Sequence, residues 1–481
     1  MPATFAAVPT TRLRRSAARR LPRSACALVA ALALLAALLV APAARADEAG
    51  AARALERFRD QPARLGPFLR ALPKGGDLHM HLSGAVYAET LLRLGARAGG
   101  CADTVTFVAS PAPCLPGQRP LLDALADNGF QSDLIGAWSM KGFPAGEDGH
   151  DHFFATFGKF GATLGDRVGE ALATVTRRAR SQNVQYLEVL VTPRSSDTRA
   201  LSQAVPFTRD FAALRQSMLD AGLRAILPRA RTELDQLVVQ ERAADPSADP
   251  AVRYSVQVSR ATPPARVFAQ LLLAFELMRD DPRWVSVNLV QPEDDVVALR
   301  DYRLQMRMLQ YLRGLYPQGH VTLHAGELAP GIAPPADLRF HIRAAVEVGQ
   351  AERIGHGVDI RWERDPVGLA RELARRDVLV EVPLTSNRQI LGVFGRRHPL
   401  RFYLRHGVPV ALATDDEGVS RTDLTEQYEQ AVLDHDLGYR QLKRIAIDSL
   451  RHSFADAGTK RRLLREQARR FTRFEARWPA R

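Results

Sequence analysis

The sequence predicts an α/β protein in which eight strands and their intervening helices close into a (β/α)8 barrel. Eight short apolar or β-branched runs recur along the chain, and most of the segments between them show helical spacing of apolar residues. Strands that alternate with helices form a parallel sheet, and eight such repeats are typical of a closed barrel. The predicted strands are Gly76–Leu82, Val184–Val191, Val252–Val258, Val285–Val290, His320–His324, Arg353–Gly357, Val378–Val382 and Val408–Ala413.

The remaining segments are predicted as helices, insertions and a tail. Ala336–Gly349 and Leu369–Arg376 are two of the predicted helices. Residues 97–150 are rich in Gly, Pro and Ala, and residues 240–250 contain two Asp-Pro pairs, so both are predicted as inserted loops or small subdomains. The tail from residue 443 to 481 is Arg-rich with spaced leucines, which predicts surface helices.

The first 46 residues have the organisation of a secretory signal peptide. Six arginines between positions 12 and 23 precede an apolar run from about Cys26 to Val40, and the triplet Ala44-Arg45-Ala46 lies just before Asp47. An uncleaved membrane anchor is the alternative, but an apolar run of about 15 residues is short for a span that needs ~20. We therefore expect cleavage after Ala46 and export to the periplasm or beyond, with membrane contact only through an uncleaved leader.

We divide the mature chain into an N-terminal extension (47–72) and a barrel (73–481) that carries the 97–150 insertion. Its net charge and its cysteines bear on its partners and on disulfide formation. Removal of the seven leader arginines lowers the formal net charge from +13 to +6. A mild excess spread along the chain indicates a solvated surface and argues against a nucleic-acid partner. Cys101 and Cys114 remain, and in an exported protein we expect a disulfide between them, with two free thiols as the alternative.

Polar side chains lie at the carboxyl ends of several predicted strands, where β/α barrels build their active sites. Alternate residues of a strand point to one face, so the side chains of His79 and His81 project together. Three histidines and one aspartate form a zinc ligand set with room for water. The strand-end residues are His79, His81, His324, His356, Asp415 and Asp416. A second H-x-H pair, His150 and His152, lies in the insertion away from any predicted strand, and we leave it out of the site.

Four segments resemble the adenosine deaminase family, in the order in which that family carries them. They are Pro73–Gly84 (PKGGDLHMHLSG), Thr322–Glu327 (TLHAGE), Arg353–Gly357 (RIGHG) and Thr414–Asp416 (TDD). Together the motifs extend from residue 73 to about residue 430. The leader and the first insertion are similar to the secreted, growth-factor-like branch of the family.

The resemblance implies zinc-dependent hydrolysis of adenosine and 2′-deoxyadenosine to inosine, 2′-deoxyinosine and ammonia. It implies that Glu327 protonates the purine ring nitrogen beside the reacting carbon, which is general acid catalysis. It further implies that His356 orients and deprotonates the attacking water and that Asp416 accepts a hydrogen bond from the purine. Zinc lowers the pKa of a bound water from 15.7 to about 7. The implied ligands of one zinc ion are His79, His81, His324 and Asp415.

Three departures or ambiguities concern the substrate, which we expect to be a small purine nucleoside. Ser83 stands where many family members have an acid that contacts the ribose 5′ hydroxyl, and Gln291 stands where a glycine usually presents its backbone to the purine. Phe153, Phe154 and Phe157 resemble the family's aromatic gate, with core packing as the alternative. A modified adenosine or adenine is therefore the alternative substrate.

Two other kinds of protein are weighed against this interpretation. Related hydrolases use two metals bridged by a carboxylated lysine on the fourth strand, but no lysine occurs between Lys159 and Lys443, which favours a single metal. A binding protein that kept the fold and lost catalysis is disfavoured by the intact set of polar residues.

Ser386 and Asn387 follow the seventh strand and are predicted to form a turn that supports the site. The sequence assigns no oligomeric state.

Overall fold

A computed structural model describes residues 47–143 and 146–479, so the predicted leader lies outside the described residues. Eight parallel strands form one sheet in the order β1, β5, β6, β7, β8, β9, β10, β11, and three short strands form a separate antiparallel sheet. The strands are β1 Gly75–His81, β2 Cys101–Asp103, β3 Ala109–Ser110, β4 Gln118–Pro120, β5 Val184–Val191, β6 Ala251–Ser259, β7 Trp284–Val290, β8 His320–Ala325, β9 Arg353–His356, β10 Leu379–Val382 and β11 Val410–Leu412.

Helices connect the strands and cover the outside of the sheet. In chain order they are α1 Glu48–Phe58, α2 Pro62–Ala71, α3 Leu82–Ala85, α4 Ala88–Arg97, α5 Asn128–Ala137, α6 Gly149–Phe160, α7 Val168–Ser181, α8 Ser195–Ala204, α9 Phe211–Asp220, α10 Leu227–Ala244, α11 Pro264–Asp280, α12 Val296–Leu315, α13 His341–Glu347, α14 Pro366–Arg375, α15 Leu384–Leu391, α16 Leu400–Arg405, α17 Glu417–Ser420, α18 Leu424–Leu433, α19 Tyr439–Arg451 and α20 Ala457–Glu475. Within the described ranges, none of these helices has the length and apolar character needed to span a membrane.

The large sheet closes on itself just beyond the last strand. Asp415 donates its backbone N–H to the His79 carbonyl over 2.9 Å and accepts from the His81 N–H over 3.0 Å. This pairing joins the end of β11 to β1 and brings the carboxyl ends of all eight strands to one rim. The predicted (β/α)8 barrel is confirmed, and the predicted strand ends differ from the observed ones by at most two residues.

Three helical segments depart from the prediction. The segment predicted as one helix, Ala336–Gly349, begins with a 3-10 turn, and its α-helix spans only His341–Glu347. The first half of the predicted 240–250 loop belongs to α10, which ends only where Pro246 forces Asp245 into an extended conformation. The tail helices α19 and α20 are more than surface helices, because Leu450 and Leu463 join Leu78 of β1 in closing the amino end of the barrel.

The insertion after β1 contains the small antiparallel sheet, in which β2 pairs with both β3 and β4. A disulfide joins Cys101 of β2 to Cys114 in the loop before β4, so the expected pairing is confirmed. The disulfide crosses a sequence separation of 13 residues and ties this loop to the first strand of the subdomain.

We expect the Cys101–Cys114 disulfide to stabilise the insertion by about 3 kcal/mol, because it restricts a loop of this length in the unfolded chain. Thiol labelling of the unreduced, denatured mature protein, followed by mass mapping, should leave both cysteines unlabelled. Labelling of either residue before reduction would contradict the assignment. The Cys101→Ser/Cys114→Ser variant, which lacks the bond but keeps similar side chains, serves as the stability control.

Candidate active site

Three histidine rings from two strands converge at the rim of the barrel, and each uses Nδ1 to bind an acceptor oxygen. His79 Nδ1 lies 2.7 Å from Glu381 Oε2, His81 Nδ1 lies 2.6 Å from Gln257 Oε1, and His324 Nδ1 lies 2.8 Å from Asn288 Oδ1. The Asn288 oxygen also accepts the His324 backbone N–H at 2.9 Å, which fixes the orientation of that amide. In the neutral, metal-binding form each ring would therefore carry its proton on Nδ1 and present a lone pair on Nε2.

These Nε2 atoms face one another at the spacing expected for ligands of one shared cation. The Nε2 atom of His324 lies 3.1 Å from that of His79 and 3.2 Å from that of His81. Two imidazole lone pairs at this separation repel unless a positive charge lies between them. Ligand atoms about 2.1 Å from a tetrahedral zinc are separated by roughly 3.4 Å, which matches this spacing. The donor set therefore fits a metal ion.

Asp415, which follows β11 and pairs with β1, adds a carboxylate to the donor set. Its Oδ1 lies 3.2 Å from His81 Nε2 and 3.6 Å from His79 Nε2, and its Oδ2 accepts the Ser386 hydroxyl at 2.6 Å. Asp415 has a left-handed backbone with φ of 59°, which directs its carboxylate towards the histidines. Ser386 thus supports the site, but it lies with Asn387 inside the helix α15 and not in the predicted turn.

The structure arranges the predicted polar residues as two overlapping groups rather than one. The four residues His79, His324, His356 and Asp415 offer ligand atoms within 4.8 Å of one another, and His81, Asp415 and Asp416 form the second group. His356, expected as a catalytic residue, therefore lies in the first group and His81 in the second. Asp415 belongs to both groups, so the metal-binding region is continuous.

Glu327 lies buried beside this region on a turn that Glu293 holds. Glu293 accepts the backbone N–H of Glu327 at 2.7 Å and that of Gly326 at 3.2 Å. Gly326 has φ of 76°, and a Cβ there would come within 2.4 Å of Asp359, so glycine is required. Burial, and then the charges of Asp415 and Glu293, raise the pKa of Glu327 well above its usual value. Burial therefore favours the protonated, proton-donating form of this carboxyl group.

Asp416 has a similar electrostatic setting but different packing. Its carboxyl group lies against the backbone of Gly84, where a Cβ would approach Asp416 Oδ1 to 1.7 Å. Burial is the largest cause that raises the pKa of Asp416 well above its usual value, and the charge of Asp415 adds to it. This shift favours a neutral, hydrogen-bond-donating form of Asp416, whereas the resemblance implies that Asp416 accepts a hydrogen bond from the purine.

A cavity of about 320 Å³ opens above these residues, a size suited to a small molecule. Phe153 is fully buried, and Phe154 and Phe157 are half-buried, so this cluster on α6 both packs in the core and lines the cavity. Ser83 also lines it, as does Gln291, whose φ is 83° although it is not glycine. The other polar lining groups outside the metal-binding region are Thr192, Gln257 and Ser259.

The second H-x-H pair lies away from the metal-binding region. His150 and His152 are on α6, where His150 Nε2 lies 3.1 Å from Asp294 and His152 Nδ1 lies 2.9 Å from Glu147. His150 also belongs to an acidic group with Asp148 and Asp151 that is largely exposed. These contacts join the helix to its surroundings and place neither imidazole among the lining residues of the cavity.

The sequence analysis missed the residues that orient the histidines. Gln257, Asn288 and Glu381 lie within β6, β7 and β10, and each points into the barrel towards a ring from another strand. Glu381 is held in turn by Thr322 at 2.9 Å and by Arg353 at 2.6 Å. In the sequence these residues stand out only as polar residues within otherwise apolar strands, where an unpaired polar group would be costly.

Comparison with known proteins links this geometry to a family. Residues 305–469 match the family model described as adenosine deaminase. The adenosine deaminase of Escherichia coli is 37% identical over 145 residues, which is 30% of this chain and 40% of that protein. The chain thus matches well under half the length of these curated relatives.

Solved structures share the fold over a larger part of the chain. The N6-methyl-AMP deaminase of Arabidopsis thaliana superposes with a TM-score of 0.55 and 22% identity, covering 84% of this chain and 98% of that one. An amidohydrolase from Burkholderia ambifaria with bound zinc superposes with a TM-score of 0.54 and 18% identity, covering 85% and 93%. At these identities the likeness establishes the barrel fold.

Proposed function

We propose that this chain is a member of the adenosine deaminase family, whose model its residues 305–469 match, and that it hydrolyses adenosine and 2′-deoxyadenosine to the corresponding inosines and ammonia. Water adds its oxygen to C6 of the purine, and the bond from C6 to the exocyclic nitrogen breaks. The single observation that carries the proposal is the convergence of three histidine Nε2 atoms and Asp415 next to the buried carboxyl group of Glu327.

One zinc ion is the cofactor that this donor set favours. Imidazole nitrogens and a carboxylate are zinc ligands, and the three rings are already oriented through Nδ1. The predicted ligands His79, His81, His324 and Asp415 would hold it. When bound there, zinc would supply Lewis-acid activation of water.

Two carboxyl groups of this chain would act on the purine. Glu327 would deliver its proton to the ring nitrogen beside C6, which makes that carbon more electrophilic. Asp416, as a neutral acid, would donate a hydrogen bond to a second ring nitrogen, because purine ring nitrogens on that edge are acceptors. Both roles need the protonated form that burial favours in each case.

The lining of the cavity favours a nucleoside over a nucleotide. Beyond the two metal-region histidines, the lining residues in the described part of the chain include no cationic side chain. A phosphate would bring roughly two negative charges to a wall of Ser83, Thr192 and Gln291, and an unpaired buried charge is costly. The Arabidopsis neighbour, by its name, deaminates a nucleotide.

The substrate class is tested with purified, zinc-loaded protein. We would follow absorbance near the adenosine maximum with adenosine, 2′-deoxyadenosine, adenine, AMP and N6-methyl-AMP. We expect the two nucleosides to be turned over with kcat/KM at least about tenfold above that of either nucleotide, a difference of 1.4 kcal/mol. Preference for adenine or a nucleotide would reassign the substrate, and no turnover of any compound would favour the non-catalytic binding protein.

Ser83→Asp should narrow the tolerance for 5′-modified nucleosides. A half-buried carboxylate that loses its 5′ hydroxyl partner is left unsatisfied, so the ratio of kcat/KM for 5′-deoxyadenosine over adenosine should fall about tenfold. Ser83→Ala removes the hydroxyl without adding charge and is the matched control. A ratio that is the same in the wild type and in Ser83→Asp would show that Ser83 does not contact the ribose end of the substrate.

We also propose that the enzyme works outside the cytoplasm, on the strength of residues 1–46. Cleavage after Ala46 should give an exported protein whose intact mass begins at Asp47. Replacing Ala44 and Ala46 with leucine should block this cleavage while leaving synthesis intact. Recovery of the wild-type protein with residue 12 still present would contradict the proposal.

A further inference from the structure

His356 lies beside the metal-binding region, and its two ring nitrogens have different surroundings. Nδ1 lies 2.8 Å from one end of the Asn387 carboxamide. Nε2 points towards Asp415 Oδ2 at 3.9 Å and has no hydrogen-bond partner among the described residues. The nitrogen that carries the proton therefore decides whether His356 presents a donor or an acceptor to the reacting water.

The other end of the Asn387 carboxamide faces a second histidine. Asn387 Nδ2 lies 2.9 Å from His398 Nε2, and His398 is fully buried. Burial lowers the pKa of His398 well below its usual value, and the nearby His435 lowers it further, so the ring is neutral. Neutral imidazole has one donor and one acceptor nitrogen.

The acceptor nitrogen of His398 is identified by a backbone group. Leu400 donates its N–H to His398 Nδ1 at 3.1 Å, at the start of α16. A backbone N–H is always a donor, so Nδ1 carries no proton and Nε2 carries it. With Asn387 Nδ2 opposite that nitrogen, two donors would face each other.

The conflict disappears when the Asn387 carboxamide is turned over. Its oxygen and nitrogen have nearly the same shape, and their places follow from their partners. In the reversed orientation the oxygen accepts from His398 Nε2 and the amide nitrogen donates to His356 Nδ1. His356 Nδ1 is then an acceptor, and the proton of neutral His356 lies on Nε2, facing the site.

We propose that His398, acting through the Asn387 carboxamide, places the His356 proton on Nε2, so that His356 orients the attacking water as a hydrogen-bond donor and does not take its proton. His398 is thus a positioning residue, because it acts on His356 only through Asn387. The catalytic meaning of this arrangement rests on the proposed function. It keeps the orienting half of the role implied for His356 and assigns the proton of the attacking water to the Asp415 carboxylate, whose Oδ2 lies 3.9 Å from His356 Nε2.

The test is the position of the imidazole protons, read by two-bond ¹H–¹⁵N correlation spectra of zinc-loaded, ¹⁵N-histidine-labelled protein. His356 signals are assigned by their loss in His356→Asn. We expect the Nε2–H tautomer in the wild type. Asn387→Asp should move the proton to Nδ1, because a carboxylate accepts from both histidines. A wild-type His356 with its proton on Nδ1 would overturn the proposal outright.

His398→Phe removes the donor that fixes the amide while keeping a ring of similar size. We expect a mixed or Nδ1–H tautomer at His356 and a 10–100-fold fall in kcat, with zinc content near the wild-type value. The matched control is His435→Phe, which changes a ring 5.6 Å from His398 that contacts neither Asn387 nor His356 through a hydrogen bond. That variant should keep the wild-type tautomer.

The outcomes separate this inference from the proposed function. An unchanged tautomer in both Asn387→Asp and His398→Phe would refute the relay, whatever the enzyme's substrate. If either variant fails to fold, as judged by its melting curve, the wild-type spectrum still decides the proposal. Absence of deaminase activity in the wild type, with His356 protonated on Nε2, would refute the proposed function alone.

Discussion

Glu327→Gln should lower kcat by about 10²–10⁴-fold while the protein retains its zinc. General acid catalysis contributes a factor of that order, and an amide has no proton to deliver to the ring nitrogen. The change is nearly isosteric and lies outside the predicted ligand set, so the metal should stay. The measurements are kcat for adenosine and zinc per chain by atomic emission.

Asp416→Asn is the informative comparison for Glu327→Gln, since both convert a buried carboxyl group of the same cavity to an amide. If Asp416 acts as a neutral donor, asparagine preserves that hydrogen bond, and the loss in kcat should be below about tenfold. Equal losses in the two variants would contradict the division of roles. A Glu327→Gln protein that keeps a near-normal rate, or that loses zinc, would remove Glu327 as the acid.

His324→Ala should abolish both metal binding and turnover. His324 Nε2 is the atom that lies 3.1 Å from His79 Nε2 and 3.2 Å from His81 Nε2, so its loss opens the centre of the donor set. Without the metal, water is left close to its normal pKa of 15.7, and the rate should fall below detection. Zinc content and the deamination rate are measured on the same preparation.

Asn288→Ala is the graded control for this prediction. It removes the acceptor 2.8 Å from His324 Nδ1 but leaves every predicted ligand, so zinc affinity should fall only about 10–100-fold. Competition with a chelator measures that shift. A His324→Ala protein that still binds one zinc per chain and turns over adenosine would show that His324 is not a ligand.

The eight-stranded barrel was readable from the sequence because its signals are local. Strands such as Val184–Val191 are mostly apolar and almost fully buried, as expected where both faces are covered, and the helices between them repeat with their own period. The alternation along β1 likewise determines that His79 and His81 share a face. Disulfide formation between Cys101 and Cys114 followed from their closeness along the chain.

The ends of helices and strands were harder to predict from the sequence, because the free energies of continuing and of ending an element differ only slightly. Residues 240–244 are good helix formers, so α10 continues into a segment that its Asp-Pro pairs suggested was loop. Leu450 and Leu463 are buried only because two tail helices pack against the end of the barrel. No local sequence pattern predicts that contact.

By itself, the sequence determined the barrel and the strand-end histidines and carboxylates that make a metal-dependent deaminase the best proposal. Only the tertiary structure decided how those groups are protonated and oriented. The Nδ1 partners of His79 and His324, the groups that raise the pKa of Glu327 and the contact between Asn387 and His398 all come from different strands and loops. The physical reason is that hydrogen-bond direction and pKa depend on neighbours within a few ångströms in space, whereas periodicity records only neighbours along the chain.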